Sequence, residues 1–178
     1  DFETRLGAAL RSAFLEGAFY FRGREMRPSD VGSGFAGAVQ GAAERVLPEL
    51  FPHFVAIAVA EGELLQLLEP TLAGPSTKFL EQGLGILALD AGRYVPACSG
   101  PVPTRIRQYI EKESGVSGAT LVTTFGGVPY GWPADVVKAA VAGLLRAHAV
   151  RIRPEDGPEI SSIKDPGSKD LFRRDRDF

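Results

Sequence analysis

Hydrophobic residues recur at helical spacing in the first fifty residues. One apolar stripe runs through residues 2–14, and Gly17 can end that helix. A second stripe runs through residues 35–47 until Pro48 breaks the pattern. The next apolar segment, 53–60, fits either a buried strand or a helix, because a short apolar run has no distinguishing period.

Short strands and short helices fill the middle of the chain. Aromatic residues around an Arg-Gly pair, where the chain can turn, predict a short strand or a hairpin over residues 18–28. Two short helices are predicted in segments 61–70 and 76–84, separated by an Ala-Gly-Pro turn. The apolar runs of segment 85–97 flank Asp-Ala-Gly, which predicts a second small hairpin.

The pattern beyond residue 102 predicts three helices and a hairpin. The helices fit residues 103–115, 118–126 and 133–146, and alternating apolar and basic residues with an Asp-Gly turn then fit a hairpin over 150–163. This is the element order of a winged helix. Between the second and third helices, aromatic residues alternate with Gly and Pro, so we expect Trp132 to pack at a helix–helix corner.

These elements predict an α+β fold that is mainly helical, with a winged-helix module near the C-terminal end and a helical region with short strands before it. The expected organisation is a helical region with short hairpins at residues 1–102, a winged-helix-like module at 103–163 and a charged, solvated extension at 164–178. Because the chain begins with Asp rather than Met, we expect it to be a piece of a larger protein.

Charge and composition narrow the function classes. The net charge is −2, but residues 1–102 hold 8 Lys and Arg against 12 Asp and Glu, and residues 103–178 hold 12 against 10. The second part is therefore better suited to an anionic partner. A single cysteine excludes an internal disulfide and, with two histidines, gives no structural-zinc pattern. The single cysteine fits a reducing, cytoplasmic setting, and because no apolar run can span a bilayer we expect no membrane partner.

No motif in the sequence predicts catalysis. Segment 74–78, GPSTK, only partly resembles a phosphate-binding loop, and segment 32–37, GSGFAG, has its third glycine too early for a dinucleotide loop. His53 and His148 are better explained as a partly buried imidazole and a helix-end cation than as catalytic bases. We therefore predict no enzyme activity, no catalytic residue, no cofactor and no metal site.

DNA binding is the main chemical alternative, because winged helices often place their third helix in the major groove. The outward face of that helix should carry Asp135, Lys138, Ala139, Ala142 and Arg146, and it lacks the Asn and Gln that read bases. Its alanines favour packing against another protein instead. If DNA binds weakly, the cations expected to contact its phosphates are Lys138, Arg146, Arg151 and Arg153.

Four segments resemble one protein family. They are FYFRG at 19–23, ELFPHF at 49–54, GPSTKFLEQGLGIL at 74–87 and, most specifically, FGGVPYGWPADVVKAAVAGLLRAHAVRI at 125–152. In these segments and their order the chain resembles the large P-loop proteins of bacteriophage-resistance systems, the BrxC proteins of bacteriophage exclusion (BREX) and the PglY proteins of phage growth limitation.

The resemblance implies a region outside the ATPase core of a phage-defence protein. Its expected partners are other phage-defence proteins or other regions of its own parent chain, with duplex DNA as a further candidate. No true Walker A motif is present, so the resemblance assigns no nucleotide site or catalytic residue to this chain. The alternatives are a free-standing winged-helix DNA-binding transcriptional regulator and, with only isolated Ser, His and Asp residues behind it, a small hydrolase.

Overall fold

Helices make up about half of the chain, and two small antiparallel sheets accompany them. The computed structural model describes residues 1–155 and 157–172. The helices are α1 (Phe2–Glu16), α2 (Pro28–Val31), α3 (Gly34–Leu50), α4 (Glu61–Gln66), α5 (Pro101–Glu113), α6 (Gly118–Gly126) and α7 (Ala134–Arg146). The strands are β1 (Phe19–Phe21), β2 (Arg24–Met26), β3 (Leu87–Asp90) and β4 (Arg93–Pro96). The α+β class is therefore confirmed.

The chain forms two compact units, which we call unit 1 (residues 1–54) and unit 2 (residues 55–178). The boundary expected from sequence was at residue 102, and the difference has a physical cause. Segment 55–100 contributes large apolar side chains, among them Phe79 and Ile86, to the same core as α5, α6 and α7. It is therefore part of the second unit's core.

Unit 1 has a small core. Strands β1 and β2 pair antiparallel, and Arg22 and Gly23 form the predicted turn with φ of 49° and 78°. Helices α2 and α3 pack so closely that a Cβ on Gly41 would overlap the Val31 carbonyl. The Phe14 ring of α1 lies 4.6 Å from the Phe35 ring of α3. No residue of α1 is buried, so this helix is held mainly by its C-terminal end.

Unit 2 is built around α7. Residues 136–145 of this helix are buried without interruption, because α4, α5, α6 and β4 all contact it. The second predicted hairpin is confirmed: β3 pairs with β4, and Ala91 and Gly92 turn the chain with φ of 45° and 78°. The expected position of Trp132 is also confirmed, since its side chain is only 2% exposed and stacks on Phe125 before α7.

Several local predictions were wrong. Segment 53–60 is neither strand nor helix, and a single 3₁₀ turn at Thr77–Phe79 replaces the helix predicted at 76–84. The predicted C-terminal hairpin is reduced to one antiparallel bridge, in which Ile152 and Ile160 exchange hydrogen bonds of 2.9 and 2.8 Å. Asp156, in the predicted turn of that hairpin, lies outside the described residues.

The expected solvated extension is also corrected in its first part. Phe172 is fully buried and Ser168 is 2% exposed, so segment 164–172 contributes to the core of unit 2. Lys169 donates a 2.7 Å hydrogen bond to the Glu69 carboxylate. Because the segment is rich in charged residues, its sequence did not predict that the Phe172 ring is buried. Residues 173–178 of the predicted extension lie outside the described residues.

We expect Gly143→Ala to lower the free energy of unfolding by about 1–3 kcal/mol, the usual cost of overpacking a core. A Cβ at Gly143 would overlap Cγ2 of the fully buried Ile86. The matched control is Gly62→Ala in α4, where a Cβ meets nothing, and there we expect a gain of about 0.4–1 kcal/mol. Urea unfolding followed by Trp132 fluorescence measures both. Equal stability of the Gly143 variant and the wild type would contradict the close contact.

Candidate functional site

The predicted outward face of α7 is wrong. Ala139 and Ala142 are completely buried, and Lys138 is only 8% exposed. The small side chains that seemed to leave room for another protein instead let α4, α5 and α6 of the same unit approach α7 closely. This helix therefore has no free face with which to enter a DNA groove.

Arg146 has a structural role within unit 2. Its guanidinium donates hydrogen bonds to the backbone carbonyls of Leu67, Glu69 and Pro70, at 3.0, 2.6 and 3.2 Å. These carbonyls lie just beyond the last turn of α4, where backbone acceptors have no helical partner. Partial burial lowers the pKa of Arg146 from its ordinary value, yet a guanidinium stays charged. Arg146 therefore joins the end of α7 to the segment that follows α4.

Arg151 and Arg153 remain accessible, but they share a counterion. Their side chains are 73% and 81% exposed, and each forms a 3.3 Å salt bridge with the Glu159 carboxylate. The three residues flank the bridge between Ile152 and Ile160. Glu159 thus neutralises part of the positive charge that phosphate binding would need. Of the four predicted cations, only these two lie together on an accessible surface.

In segment 74–78, which partly resembles a phosphate-binding loop, the lysine already forms an ion pair with Glu63. Glu63 accepts hydrogen bonds of 2.8 Å from the Ala60 backbone N–H, the Lys78 ammonium and the Ser76 hydroxyl. The first two of these bonds are the main reasons that the pKa of Glu63 falls to about 2. Lys78, the residue that would contact a phosphate, therefore neutralises Glu63 and fastens segment 76–78 to the start of α4.

Cys98 and His148, which the sequence offered as possible nucleophile and base, lie in surroundings that suit a structural role. Cys98 is buried, and burial raises the pKa of its thiol to about 11, which disfavours the nucleophilic thiolate. Nδ1 of His148 lies 3.1 Å from the Ser161 carbonyl oxygen. Within residues 1–155 and 157–172, no cluster of three or more His, Cys, Asp and Glu side chains could hold a metal ion.

Large exposed hydrophobic side chains are concentrated in unit 1. Eight of the ten found in the described part of the chain lie there, although unit 1 contributes fewer than a third of the residues. We call seven of them the unit 1 apolar surface: Phe2, Leu6, Leu10, Tyr20, Phe35, Val39 and Leu47. Single exposed apolar residues are normal on a protein surface. The contact between the Phe14 and Phe35 rings joins the exposed residues of α1 to those of α3, and an apolar surface shared by two helices is typical of an interaction site.

Sequence reasoning located these side chains but not their exposure. Two of the predicted helical stripes contain most of them, and a stripe at helical spacing usually faces the protein's own core. The sequence did contain one indication of this exposure: unit 1 has few large apolar residues that could cover the two stripes. Its helices are rich in Ala and Gly, and its buried residues are only Pro28, Ala38 and Ala42.

No protein-family model, no curated protein sequence and no solved structure matches this chain. Each helix in the described ranges, 1–155 and 157–172, is too short or too polar to cross a lipid bilayer.

Proposed function

We propose that this chain is a non-catalytic protein-interaction module and that the unit 1 apolar surface is its contact surface. The observation that carries the proposal is the exposure of Phe2, Leu10 and Phe35, which are 78%, 62% and 65% accessible. Apolar side chains contribute binding energy when a partner removes them from water, and buried aromatic anchors at the centre of an interface often contribute most.

The rest of the chain fits a supporting role in this proposal. Helices α5, α6 and α7, followed by the bridge between Ile152 and Ile160, have the element order of a winged helix. We propose a winged-helix-like module that does not use its third helix to read DNA, since residues 136–145 are already buried within unit 2. In this proposal the module is a folded part of a larger assembly and not a reader of DNA sequence.

The biological setting of the proposal rests on the resemblance to BrxC and PglY proteins. On that basis we propose that the chain belongs to a phage-defence P-loop ATPase whose nucleotide site lies elsewhere. Its partners would then be other phage-defence proteins or other regions of the parent chain. The exposed apolar surface supports binding to a protein, and it does not by itself distinguish between these partners.

Site-specific photo-cross-linking tests this function. A p-benzoylphenylalanine residue at Phe35, introduced into the parent protein in cells that carry its whole defence system, should cross-link to a protein that mass spectrometry can identify. The matched control is the same residue at Gln108, an exposed position of α5 in unit 2. Cross-links at Phe35 that do not exceed those at Gln108 would contradict the proposal.

Weak DNA binding through Arg151 and Arg153 is the second candidate function. Both guanidiniums are exposed and adjacent, which favours contact with two neighbouring phosphates. With Lys138 and Arg146 engaged in the fold, two contacts replace the four expected from sequence. The logarithm of the binding constant should then fall with the logarithm of salt concentration with a slope of about −1.8, where four contacts would give about −3.6.

Fluorescence anisotropy with two duplexes of unrelated sequence measures this slope. Arg151→Glu with Arg153→Glu should abolish binding to both duplexes, and Glu159→Gln should strengthen it because the competing carboxylate is removed. Arg93→Glu, at an exposed cation of the β3–β4 hairpin, is the control for a charge reversal at another site. Sequence-specific binding that persists at high salt would contradict this mode of binding.

A further inference from the structure

The N-terminal part of α1 projects its apolar stripe away from the rest of unit 1. Phe2, Leu6 and Leu10 are spaced four residues apart, so they lie on one side of the helix, and they are 78%, 47% and 62% exposed. Phe14 continues the stripe and contacts Phe35, which is itself exposed. One apolar strip therefore extends along α1 onto the start of α3.

The charges beside this stripe form a self-complementary pattern. At 100° per residue, Arg5 and Glu16 lie on the same flank of the stripe, near opposite ends of α1. Neither of them forms a salt bridge with another residue among those described. A second α1 running antiparallel would turn the flank with Arg5 and Glu16 toward the same flank of the first helix, and with Leu6 level with Leu10 the two opposite charges would be offset by five residues, about 7.5 Å.

We propose that two copies of this chain associate through an antiparallel pair of α1 helices, with Leu6 of each copy packed against Leu10 of the other. Helical side chains lean toward the N-terminus of their own helix, so Arg5 and the opposing Glu16 lean toward each other in this arrangement. In a parallel pair the flank that carries Arg5 and Glu16 would face the opposite flank of the partner helix, so these two residues would not meet. The inference rests on the proposed function, and it names the partner as a second copy.

The size of the surface fits a weak, reversible dimer. Phe2 and Phe35 would together bury roughly 300 Å², since an aromatic side chain covers about 150–250 Å². Leu6, Leu10 and their neighbours extend this area toward the roughly 800 Å² per partner of a standard interface. Gly7, where a Cβ would meet nothing within 4 Å, leaves room for close approach near the middle of the pair. We expect a dissociation constant on the order of 10 µM.

Sedimentation equilibrium of the 178-residue chain tests the inference. The wild type should form a dimer, and Leu6→Glu with Leu10→Glu should raise its dissociation constant at least about 100-fold, because two carboxylates per copy would be buried in the interface. Ala8→Glu adds a charge on the opposite, exposed side of α1 and should leave the dimer unchanged. Circular dichroism of each variant checks that the helix content of the chain, α1 included, is unchanged.

A charge exchange tests the orientation of the helices. Arg5→Glu alone should weaken the dimer several-fold, and Arg5→Glu combined with Glu16→Arg should restore it. The inference would be overturned by a chain that stays monomeric at every concentration reached. It would also be overturned by a dimer whose dissociation constant does not change with the substitutions at Leu6 and Leu10. A monomeric chain that still cross-links to a different protein from Phe35 would overturn this inference and leave the proposed function standing.

Discussion

Trp132→Ala should lower the free energy of unfolding by about 3–5 kcal/mol, the usual cost of removing a buried aromatic side chain. The Trp132 ring lies parallel to the Phe125 ring, with an angle of 4° and a centroid distance of 4.9 Å, and Tyr130 packs against both. This cluster joins the end of α6 to the start of α7, so its loss should loosen the whole three-helix arrangement.

Urea unfolding followed by circular dichroism measures this effect, since the variant lacks the only tryptophan. Trp132→Phe keeps an aromatic ring at the corner and should cost clearly less than the alanine variant. An alanine variant as stable as the wild type would show that the corner does not hold α6 and α7 together.

Arg146→Ala should cost about 2–4 kcal/mol, because hydrogen bonds from a charged donor contribute more than neutral ones and their loss leaves backbone acceptors unpaired. Three carbonyls, those of Leu67, Glu69 and Pro70, lose their donor together. Arg146→Lys should recover only part of the loss, since a single ammonium lacks the planar fork that reaches several acceptors.

The matched control for Arg146 is Arg151→Ala, which removes an exposed arginine in a surface salt bridge and should change stability by less than about 1 kcal/mol. Thermal unfolding of the three variants separates the two roles. If Arg146→Ala were as stable as Arg151→Ala and weakened DNA binding, the original assignment of Arg146 to a nucleic-acid surface would be correct and the structural one wrong.

Local features of the fold were predictable because they follow from short-range chemistry. The two hairpins were located by Arg22-Gly23 and Ala91-Gly92, since a tight two-residue turn needs positive φ and glycine adopts it readily. The last three helices were recognised from their apolar periodicity, and Trp132 was placed at their corner. Each of these features depends on a few neighbouring residues.

Burial was less predictable because it depends on residues distant in the chain. Lys138, Ala139 and Ala142 have the spacing of a solvent face, but segment 55–100 and α5 surround α7. The stripe of α1 has the spacing of a core face, yet unit 1 has too few large side chains to cover it. Helical periodicity identifies a face and cannot say which element covers it.

The same distinction applies to the candidate site. Arg151 and Arg153 were recognised as cations of the last bridge, but their common counterion Glu159 depends on how that segment folds back. Arg146 looked equivalent to them in sequence, and only its distance to carbonyls almost eighty residues earlier shows its role in the fold. The unit 1 apolar surface emerged only when exposure could be measured.

Hydrogen–deuterium exchange of the parent protein, alone and assembled with its partners, tests most directly whether unit 1 is a protein-binding surface. The account predicts new protection in α1 and α3, whose exposed faces would become covered, and little change in α7, whose residues are already buried. Protection confined to residues 151–160, with α1 and α3 exchanging as before, would contradict it.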